Sequence, residues 1–237
     1  MNLILLEPQD YTACGNVTLN DQRHLQIRNT HRSAVGDRVK VAQLNGLIGT
    51  GLITALDDKS VVIGDLQLDQ QPPKKLPLRI VLALPRPKMI RRIFRTIAEL
   101  GVTELIIINS YKVEKSFWQS PAISPEKVRE YLIDGLQQAK DTVLPKVSFE
   151  QRFKPFVEDR LAALISDQQA FIAHPDLGQA CPQPLNKPLT LAIGPEGGFT
   201  PYEVDKLVET GFEGIHLGPR ILKVENALTT LVAKLYS

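Results

Sequence analysis

Two glycine-containing loops near the C-terminal end of the chain have residue types suited to binding a small organic ligand. The first loop, GPEGG at 194–198, follows the apolar run Leu189–Ile193. The second loop, GPRIL at 218–222, follows a shorter apolar run at 215–217. Glycines let the backbone approach a bound molecule, and open α/β sheets bind ligands at the carboxyl ends of their parallel strands. The two loops therefore predict one pocket, beside which Arg220 supplies a cation that can stabilise developing negative charge.

A helix is predicted between the two loops. Thr200 can cap its start, Pro201 suits the first helical position, and Glu203 completes a capping box. Gly211 is typical of a residue that ends a helix. The order strand, loop, helix, strand, loop indicates a unit of a parallel sheet, so both loops are expected at the same edge.

The sequence GPEGGFTPYE followed by HLGPRILKVENA resembles the SPOUT methyltransferases. It is most similar to the family that methylates N3 of a uridine in 16S ribosomal RNA, where GPEGGFS or GPEGGFT precedes a helix and LG-x-RILR-x-ETA. The resemblance implies an enzyme that uses S-adenosyl-L-methionine as its cofactor and the small ribosomal subunit as its substrate. It also implies a homodimer, with the cofactor site close to the interface.

Carried onto this chain, the resemblance and the chemistry of methyl transfer predict the site residues. Arg220 is expected to orient the uracil or to stabilise its charge, and Glu225 is the second catalytic candidate. Glu196 and Glu225 can also be structural, the first by accepting hydrogen bonds from loop amides and the second by favouring a helix dipole. The predicted cofactor-binding residues are His174, Ile193, Gly194, Glu196, Gly197, Gly198, Leu217, Gly218, Ile221, Leu222, Asn226 and Ala227.

Three positions depart from the family pattern. Lys223 replaces an arginine and loses its bidentate fork, and Asn226 replaces the threonine of ETA. Asp141 stands where an arginine is common, and an acid there would repel RNA phosphate. Two alternatives therefore stay open: an RNA-binding or ribosome-assembly protein that keeps the fold without catalysis, and a protein that binds another nucleotide in the glycine loops.

Basic residues are concentrated in two clusters, although the net charge is only +2. The N-terminal basic cluster contains Arg23, Arg28, Arg32, Arg38 and Lys40, and the second basic cluster contains Arg86, Lys88, Arg91, Arg92 and Arg95. Each cluster can neutralise phosphates or form a solvated face, and the methyltransferase resemblance favours RNA. The predicted RNA-binding residues are Arg23, Arg28, Arg32, Arg86, Arg91 and Lys223.

The chain is predicted to divide within the Pro- and Lys-rich stretch QQPPKKLP at 70–77. Short strands at 37–43, 52–56 and 60–63 predict a small β-barrel, and the resemblance makes residues 1–72 a PUA-like RNA-binding domain. The segment THRSAVGD aligns Arg32 with an RNA-contacting arginine. His24 and His31 are interpreted as ordinary surface or core imidazoles.

Strands and helices alternate after this boundary, which predicts an α/β domain with a mostly parallel sheet over 76–237. Strands are expected at 78–84, 105–108 and 170–173, with helices around Ile90 and Val128. RRIFRTIAELGV resembles the KATELGV segment of the family. The trefoil knot of the SPOUT fold follows from the resemblance alone.

The remaining composition indicates a cytoplasmic protein. No segment is apolar and long enough to span a membrane, and the N-terminal MNLILLEPQD lacks the features of a signal peptide. Cys14 and Cys181 are expected to be reduced thiols, and no metal-ligand spacing is present, so no metal is predicted.

Overall fold

The computed structural model describes residues 3–30, 32–182 and 184–236. The chain forms two compact units. The first unit consists of Met1–Lys74 and Ile133–Leu144, and the second of Lys75–Leu132 and Pro145–Ser237. Of the predicted features, His31 lies outside the described residues.

The first unit contains a five-stranded sheet. Its strands are β1 (Ile4–Leu6), β2 (Val17–Leu19), β3 (Arg38–Gln43), β4 (Ile48–Leu56) and β5 (Val61–Gln70), in the order β1-β3-β4-β5-β2. The β1–β3 pair is parallel, and the other pairs are antiparallel. A short helix, α1 (Gln22–Leu25), precedes a single π turn at Gln26–Thr30. No pairing of described residues joins β1 to β2, so the strands form a five-stranded sheet and the predicted closed barrel stays a prediction.

Alternating side chains explain how this sheet forms its core. In β3, Val39 and Val41 are buried while Arg38 and Lys40 are exposed, as the period of two in a strand requires. The buried valines pack with apolar residues of the other four strands, such as Ile53 in β4. His24 is also in the interior, where its Nε2 lies 3.0 Å from the Asp57 carbonyl oxygen. That contact agrees with an ordinary core imidazole.

The second unit is an α/β fold built on a seven-stranded parallel sheet. Its strands are β6 (Leu76–Ala83), β7 (Val102–Ile108), β8 (Lys146–Glu150), β9 (Gln169–Ala173), β10 (Gln179–Ala180), β11 (Leu189–Ile193) and β12 (Glu213–His216). They lie in the order β10-β12-β9-β11-β6-β7-β8, with every pair parallel. The α/β class and the parallel sheet expected from the sequence are confirmed.

Helices lie between these strands along the chain, and the last helix follows β12. They are α2 (Pro87–Glu99), α3 (Pro125–Ala139), α4 (Phe153–Pro155), α5 (Ala162–Ile165), α6 (Pro201–Thr210) and α7 (Val224–Leu235). A π turn at Phe156–Leu161 joins α4 to α5, and 3-10 turns occupy Lys115–Gln119 and Pro121–Ile123. No helix of the described chain is long and apolar enough to cross a membrane.

Helix α2 shows how the sequence divides a buried face from a charged one. Its apolar residues, including Ile90 and Phe94, are buried, and they recur at the spacing of one helix face. The cations of the second basic cluster occupy the rest of the surface, so we call it the α2 basic cluster. One of them, Arg95, lies with its guanidinium carbon 4.8 Å from the centre of the Tyr131 ring.

Asp141 does not present its carboxylate to solvent, which corrects the expectation that it would repel RNA phosphate. Only 3% of the residue is exposed, and Oδ1 accepts hydrogen bonds from the backbone N–H groups of Thr142 and Val143. Its own N–H donates to the Leu136 carbonyl, while Lys140 has a φ of 56°. This pattern is a Schellman ending of α3, so the acid stabilises a turn.

Candidate functional site

The predicted pocket is present at the carboxyl edge of the parallel sheet. Strands β12, β9 and β11 are adjacent, and the three segments that follow them surround a cavity of about 340 Å³. This volume lies at the small end of the range that is usual for ligand sites. The predicted residues that line it are His174, Ile193, Gly194, Glu196, Gly197, Gly198, Leu217, Gly218, Arg220, Ile221, Leu222 and Ala227.

The structure leaves Glu225, predicted as catalytic, and Asn226, predicted to bind the cofactor, outside the cavity lining, together with Lys223, which was predicted to bind RNA. Glu225 and Asn226 lie in the first turn of α7, and Lys223 is the residue before that helix. Glu225 is partly buried, whereas Lys223 and Asn226 are exposed. Two of the three departures from the family pattern therefore do not contact the cavity. The third, Asp141, belongs to the turn that ends α3.

The glycine loop after β11 has a shape that side chains would obstruct. A Cβ atom on Gly194 would lie 3.0 Å from the Phe199 backbone nitrogen, and one on Gly197 would lie 2.9 Å from Cδ of Lys112. Gly198 adopts a φ of 70°, and its N–H donates to the Pro195 carbonyl. Gly218, in the other loop, has a φ of 96° with open space where a Cβ would be. The positive φ values favour glycine at 198 and 218, and the missing side chains leave backbone exposed to a ligand.

Lys112 also lines the cavity and was not predicted from the sequence. Its Nζ donates to the Gly197 carbonyl oxygen at 2.6 Å, and its aliphatic stem covers that glycine. The neighbouring Tyr111 N–H donates to Oε1 of Glu203 at 2.8 Å. No motif connects these positions in sequence, because Lys112 and Gly197 are 85 residues apart.

The start of α6 fixes this arrangement. The hydroxyl of Thr200 accepts from the Glu203 N–H, and Oε2 of Glu203 accepts from the Thr200 N–H, so the predicted capping box is confirmed. Glu203 is only 3% exposed, so its carboxylate would be costly to bury without these donors. Since it also accepts from Tyr111, one carboxylate anchors both the helix and the loop that carries Lys112. Gly211 ends the helix in the left-handed conformation, as predicted.

Two histidines line the cavity, and in each of them Nδ1 accepts a hydrogen bond from a backbone N–H group. Nδ1 of His174 accepts from the Asp176 N–H at 3.2 Å, and Nδ1 of His216 accepts from the Gly218 N–H at 3.1 Å. In a neutral imidazole the proton is then on Nε2, which makes both rings donors rather than bases. Only His174 was predicted from the sequence.

Charges of both signs surround the cavity. Arg220 and Lys112 are the lining cations, and Glu196 and Asp176 are the lining carboxylates. Oε1 of Glu196 accepts a hydrogen bond from the backbone nitrogen of Arg86 at 3.4 Å, which is the loop-amide contact considered from the sequence.

The apolar wall of the second loop also faces solvent, because Ile221 is 84% exposed and Leu222 is 38% exposed. No cluster of His, Cys, Asp and Glu that could hold a metal is present among the described residues.

The arginines predicted to bind RNA differ in their surroundings. Arg23 is partly buried and pairs with Asp10 and Asp21, and Arg28 pairs with Asp58 at 2.6 Å. Arg32 is exposed and has a φ of 50°. Arg86 and Arg91 are exposed on the α2 basic cluster and make no ion pair with any described residue. The structure thus leaves Arg86 and Arg91 more available to an anion than Arg23 or Arg28.

Comparison with known proteins identifies relatives over most of the chain. A family model described as RNA methyltransferase domain matches residues 72–236. A protein of Treponema pallidum named ribosomal RNA small subunit methyltransferase E is 29% identical over 234 residues, which cover 96% of this chain and 87% of that protein. A Borreliella burgdorferi protein, ribosomal RNA small subunit methyltransferase E 1, is 23% identical over 96% of this chain and 94% of its own length.

A solved structure shares the fold. Ribosomal RNA small subunit methyltransferase E from Neisseria gonorrhoeae, bound to S-adenosyl methionine, superposes with a TM-score of 0.74. The match covers 98% of this chain and 96% of that chain at 19% sequence identity. At this identity the similarity shows that both chains have the same fold.

Proposed function

This chain belongs to the RNA methyltransferase domain family, and from that premise we propose that it methylates N3 of a uridine in 16S ribosomal RNA of the small subunit. The observation that carries the proposal is the cavity of about 340 Å³, which two glycine loops form beside Arg220 at one edge of a parallel sheet. Relatives named ribosomal RNA small subunit methyltransferase E support this substrate.

The residues of the cavity fit S-adenosylmethionine. Gly198 and Gly218 expose backbone at positive φ, and a Cβ on either would meet no protein atom within 4 Å, so the adjoining space is open. Ile193, Leu222 and Leu231 supply apolar surface, while backbone groups of the loops supply polar contacts. When bound, this molecule supplies an electrophilic methyl group. The Neisseria gonorrhoeae relative was solved with the same molecule bound.

The chain's own residues then have to position the uracil and accept the proton that leaves its N3. Alignment of the attacking N3 can supply much of the acceleration, because holding reactants in line removes an entropic cost. As the N3 proton leaves, negative charge spreads to the uracil oxygens, and Arg220 stabilises it. Lys112 supplies a second cation at the cavity. Glu196 and Asp176 are the lining carboxylates that can accept the proton, because His174 and His216 are donors.

Features implied by the resemblance belong to the same proposal. We assign a PUA-like role to residues 1–72 and a SPOUT domain with a trefoil knot to residues 76–237, supported by the shared fold. A homodimer is supported by exposed apolar side chains at 111 and 221, since large exposed apolar residues mark interfaces. A cytoplasmic location follows from the ribosomal substrate. Sedimentation of the purified protein tests the dimer.

Transfer of labelled methyl to small subunits that lack the modification tests the function. We expect label at uridine N3 after mapping of the modified nucleotide. Arg220→Ala should lower transfer at least 100-fold and leave donor affinity nearly unchanged, because the loss of one charge-stabilising donor costs about that much. Arg220→Lys is the matched control, since it keeps the charge and should restore part of the rate.

Three outcomes would contradict the proposal or the role of Arg220 in it. Loss of donor affinity in Arg220→Ala would move this arginine from the uracil to the cofactor. Donor binding by the wild-type protein without any transfer to subunits or bare 16S RNA would favour the RNA-binding or ribosome-assembly alternative. Competition by another nucleotide, with no binding of S-adenosylmethionine, would favour the second alternative.

A further inference from the structure

A second cleft lies at the same carboxyl edge of the sheet, beyond the cofactor cavity. Its volume is about 490 Å³, and its aromatic walls are Trp118, in the 3-10 turn after β7, and Phe149, in β8. The two rings meet edge to face, with centroids 6.4 Å apart and planes at 75°. Both aromatic residues are only partly buried, so part of their surface remains accessible to a planar ligand.

The tryptophan is held in a fixed orientation. Its Nε1–H donates to Oδ1 of Asn109 at 2.9 Å, and the edge-to-face contact with Phe149 restrains the ring further. Gln119 and Gln151 also line the cleft, and their side-chain amide groups make no hydrogen bond with any described residue. A preorganised aromatic ring beside free amides has the two parts of a nucleobase site, one for stacking and one for base edges.

One loop links this cleft to the cofactor cavity. Asn109 holds Trp118, and Lys112, three residues later, lines the first cavity and contacts Gly197. In the sheet, β8, which carries Phe149, lies three strands from β11, a separation of about 14 Å at the usual strand spacing. A single-stranded RNA that places one base in the first cavity can therefore place a base from a nearby nucleotide in the second cleft.

The charges around the cleft are mixed. Lys115 and Arg152 are close in sequence to residues that line the cleft, are exposed, and form no ion pair in the described part of the chain. Glu114 and Glu126 are also close in sequence to lining residues and are exposed. Charge alone therefore does not select a polyanion here. Aromatic stacking does select a base, because every nucleobase has a π face.

We propose that the cleft between Trp118 and Phe149 binds a nucleobase of the RNA substrate that flanks the methylated uridine. This inference rests on the proposed function, because it takes RNA as the substrate. It adds a second contact that positions the RNA while the target base is in the cofactor cavity. Trp118 is a positioning residue in this scheme.

The first test compares methyl transfer by Trp118→Ala and wild-type protein. We expect KM for 16S RNA to rise about tenfold or more, with kcat and donor affinity little changed, because one stacking contact is lost. Trp118→Phe keeps a stacking ring and should recover most of the affinity. An unchanged KM in a folded Trp118→Ala protein would overturn the inference.

The second test needs no variant, because Trp118 is the only tryptophan in the chain. A short uridine-containing RNA oligonucleotide should quench its fluorescence, whereas S-adenosylmethionine alone should not. With 5-bromouridine in the same RNA, irradiation should crosslink the peptide that carries Trp118. RNA binding with neither quenching nor a crosslink at Trp118 would overturn the inference even if Trp118→Ala failed to fold.

Failure of the proposed function gives a different result. In that case wild-type protein transfers no methyl group, whatever the fluorescence shows. If Trp118→Ala weakens transfer to assembled subunits but not to protein-free 16S RNA, the cleft contacts a ribosomal protein, and the nucleobase site is refuted.

Discussion

The N-terminal basic cluster and the α2 basic cluster contain equal numbers of cations, but their arginines differ in how many form ion pairs within the protein. In the first, Arg23, Arg28 and Arg38 each form an ion pair with an aspartate. In the second, no ion pair of described residues involves Arg91 or Arg92. A run of cations in a sequence therefore does not show whether the charge is available to a partner.

Arg23 is the clearest case of a cation used internally. Its NH1 and NH2 groups donate to both oxygens of Asp10, its Nε donates to Asp21, and NH1 also reaches the Leu5 carbonyl. Asp10 is 7% exposed and would lose its main counter-charge without this arginine. Such a network stabilises β1 and the turn after it, and it leaves no free donor for phosphate.

Helix α2 has the opposite arrangement. Pairs among Lys88, Arg91, Arg92 and Arg95 are separated by three or four residues, so like charges lie close together on the helix. This repulsion destabilises the isolated helix slightly. Arg95 lies over the Tyr131 ring, but Arg91 and Arg92 form no ion pair with any described residue, and an anionic partner would explain these two cations.

The largest expected effect is that of Arg23→Ala on stability. We expect the free energy of unfolding of the first unit to fall by about 2–4 kcal/mol, because a largely buried carboxylate loses its partner. Hydrogen exchange of β1 and β3 amides measures this directly. Fluorescence of Trp118, which lies in the second unit, should change much less.

Arg28→Ala is the matched control, because its partner Asp58 is 84% exposed. Solvent screens such a pair, and its loss should change exchange rates little. Equal destabilisation by Arg23→Ala and Arg28→Ala would contradict this prediction, since it would show that the burial of Asp10 does not determine the loss in the free energy of unfolding.

The second largest effect is expected from the double substitution Arg91→Gln and Arg92→Gln. RNA affinity should fall about tenfold, and the slope of log K against log salt should become shallower by about 0.7–0.9 for each lost phosphate contact. Thermal stability should hardly change, because both side chains are exposed and unpaired in the described structure. Filter binding at several salt concentrations measures affinity and slope together.

Arg28→Gln provides the control for this experiment as well. Its charge is already neutralised by Asp58, so its removal should alter neither the affinity nor the salt slope by a comparable amount. A salt slope that changed with Arg28 but not with the α2 pair would place the RNA on the first unit instead.

Sequence patterns predicted the parts of the site that depend on local chemistry. Thr200 and Glu203 are three residues apart, and Gly211 closes the same helix, so both ends of α6 follow from a short window. The glycine loops at 194 and 218 are likewise local. The five-stranded sheet of the first unit was less predictable, since β1 has three residues and its partner β3 begins more than thirty positions later.

Features that depend on distant contacts could not be predicted. Lys112 reaches Gly197 only because β7 and β11 end at the same sheet edge. Asp141 is buried by a turn whose Lys140 has a positive φ, which is unusual for lysine. Strand β8 was missed because none of its residues is fully buried, so it lacks the apolar run of a central strand.

Low pH should lower the stability of the first unit by a smaller amount, through the partner of Arg23 at position 21. Burial raises the pKa of Asp21, but hydrogen bonds from Arg23 and its charge outweigh this, and the net pKa lies below the ordinary 3.8. A carboxyl with a depressed pKa adds stability that is present above pH 3.8 and is lost as pH falls through the lower, folded-state value. Urea unfolding from pH 7 to pH 3 should show this loss in wild-type protein. In Arg23→Ala the contribution of Asp21 should be smaller, because only backbone N–H donors remain to lower its pKa, and a slope equal to that of the wild type would contradict the assignment.

The smallest effect is expected for Arg38→Gln, which removes an exposed pair that nevertheless has a local purpose. Arg38 donates to Oδ2 and to the carbonyl of Asp65, a residue with a φ of 43° at an irregularity between β4 and β5. Its hydrogen bond and charge lower the pKa of Asp65, so the substitution should return that pKa towards 3.8, as carboxyl NMR shifts would report. Amide exchange should quicken around Gly64 and Leu66 alone, because the pair holds one bulge rather than the core. If RNA affinity instead fell as far as in the α2 double variant, Arg38 would be a phosphate contact, and ion pairing within the sheet would not distinguish the two clusters.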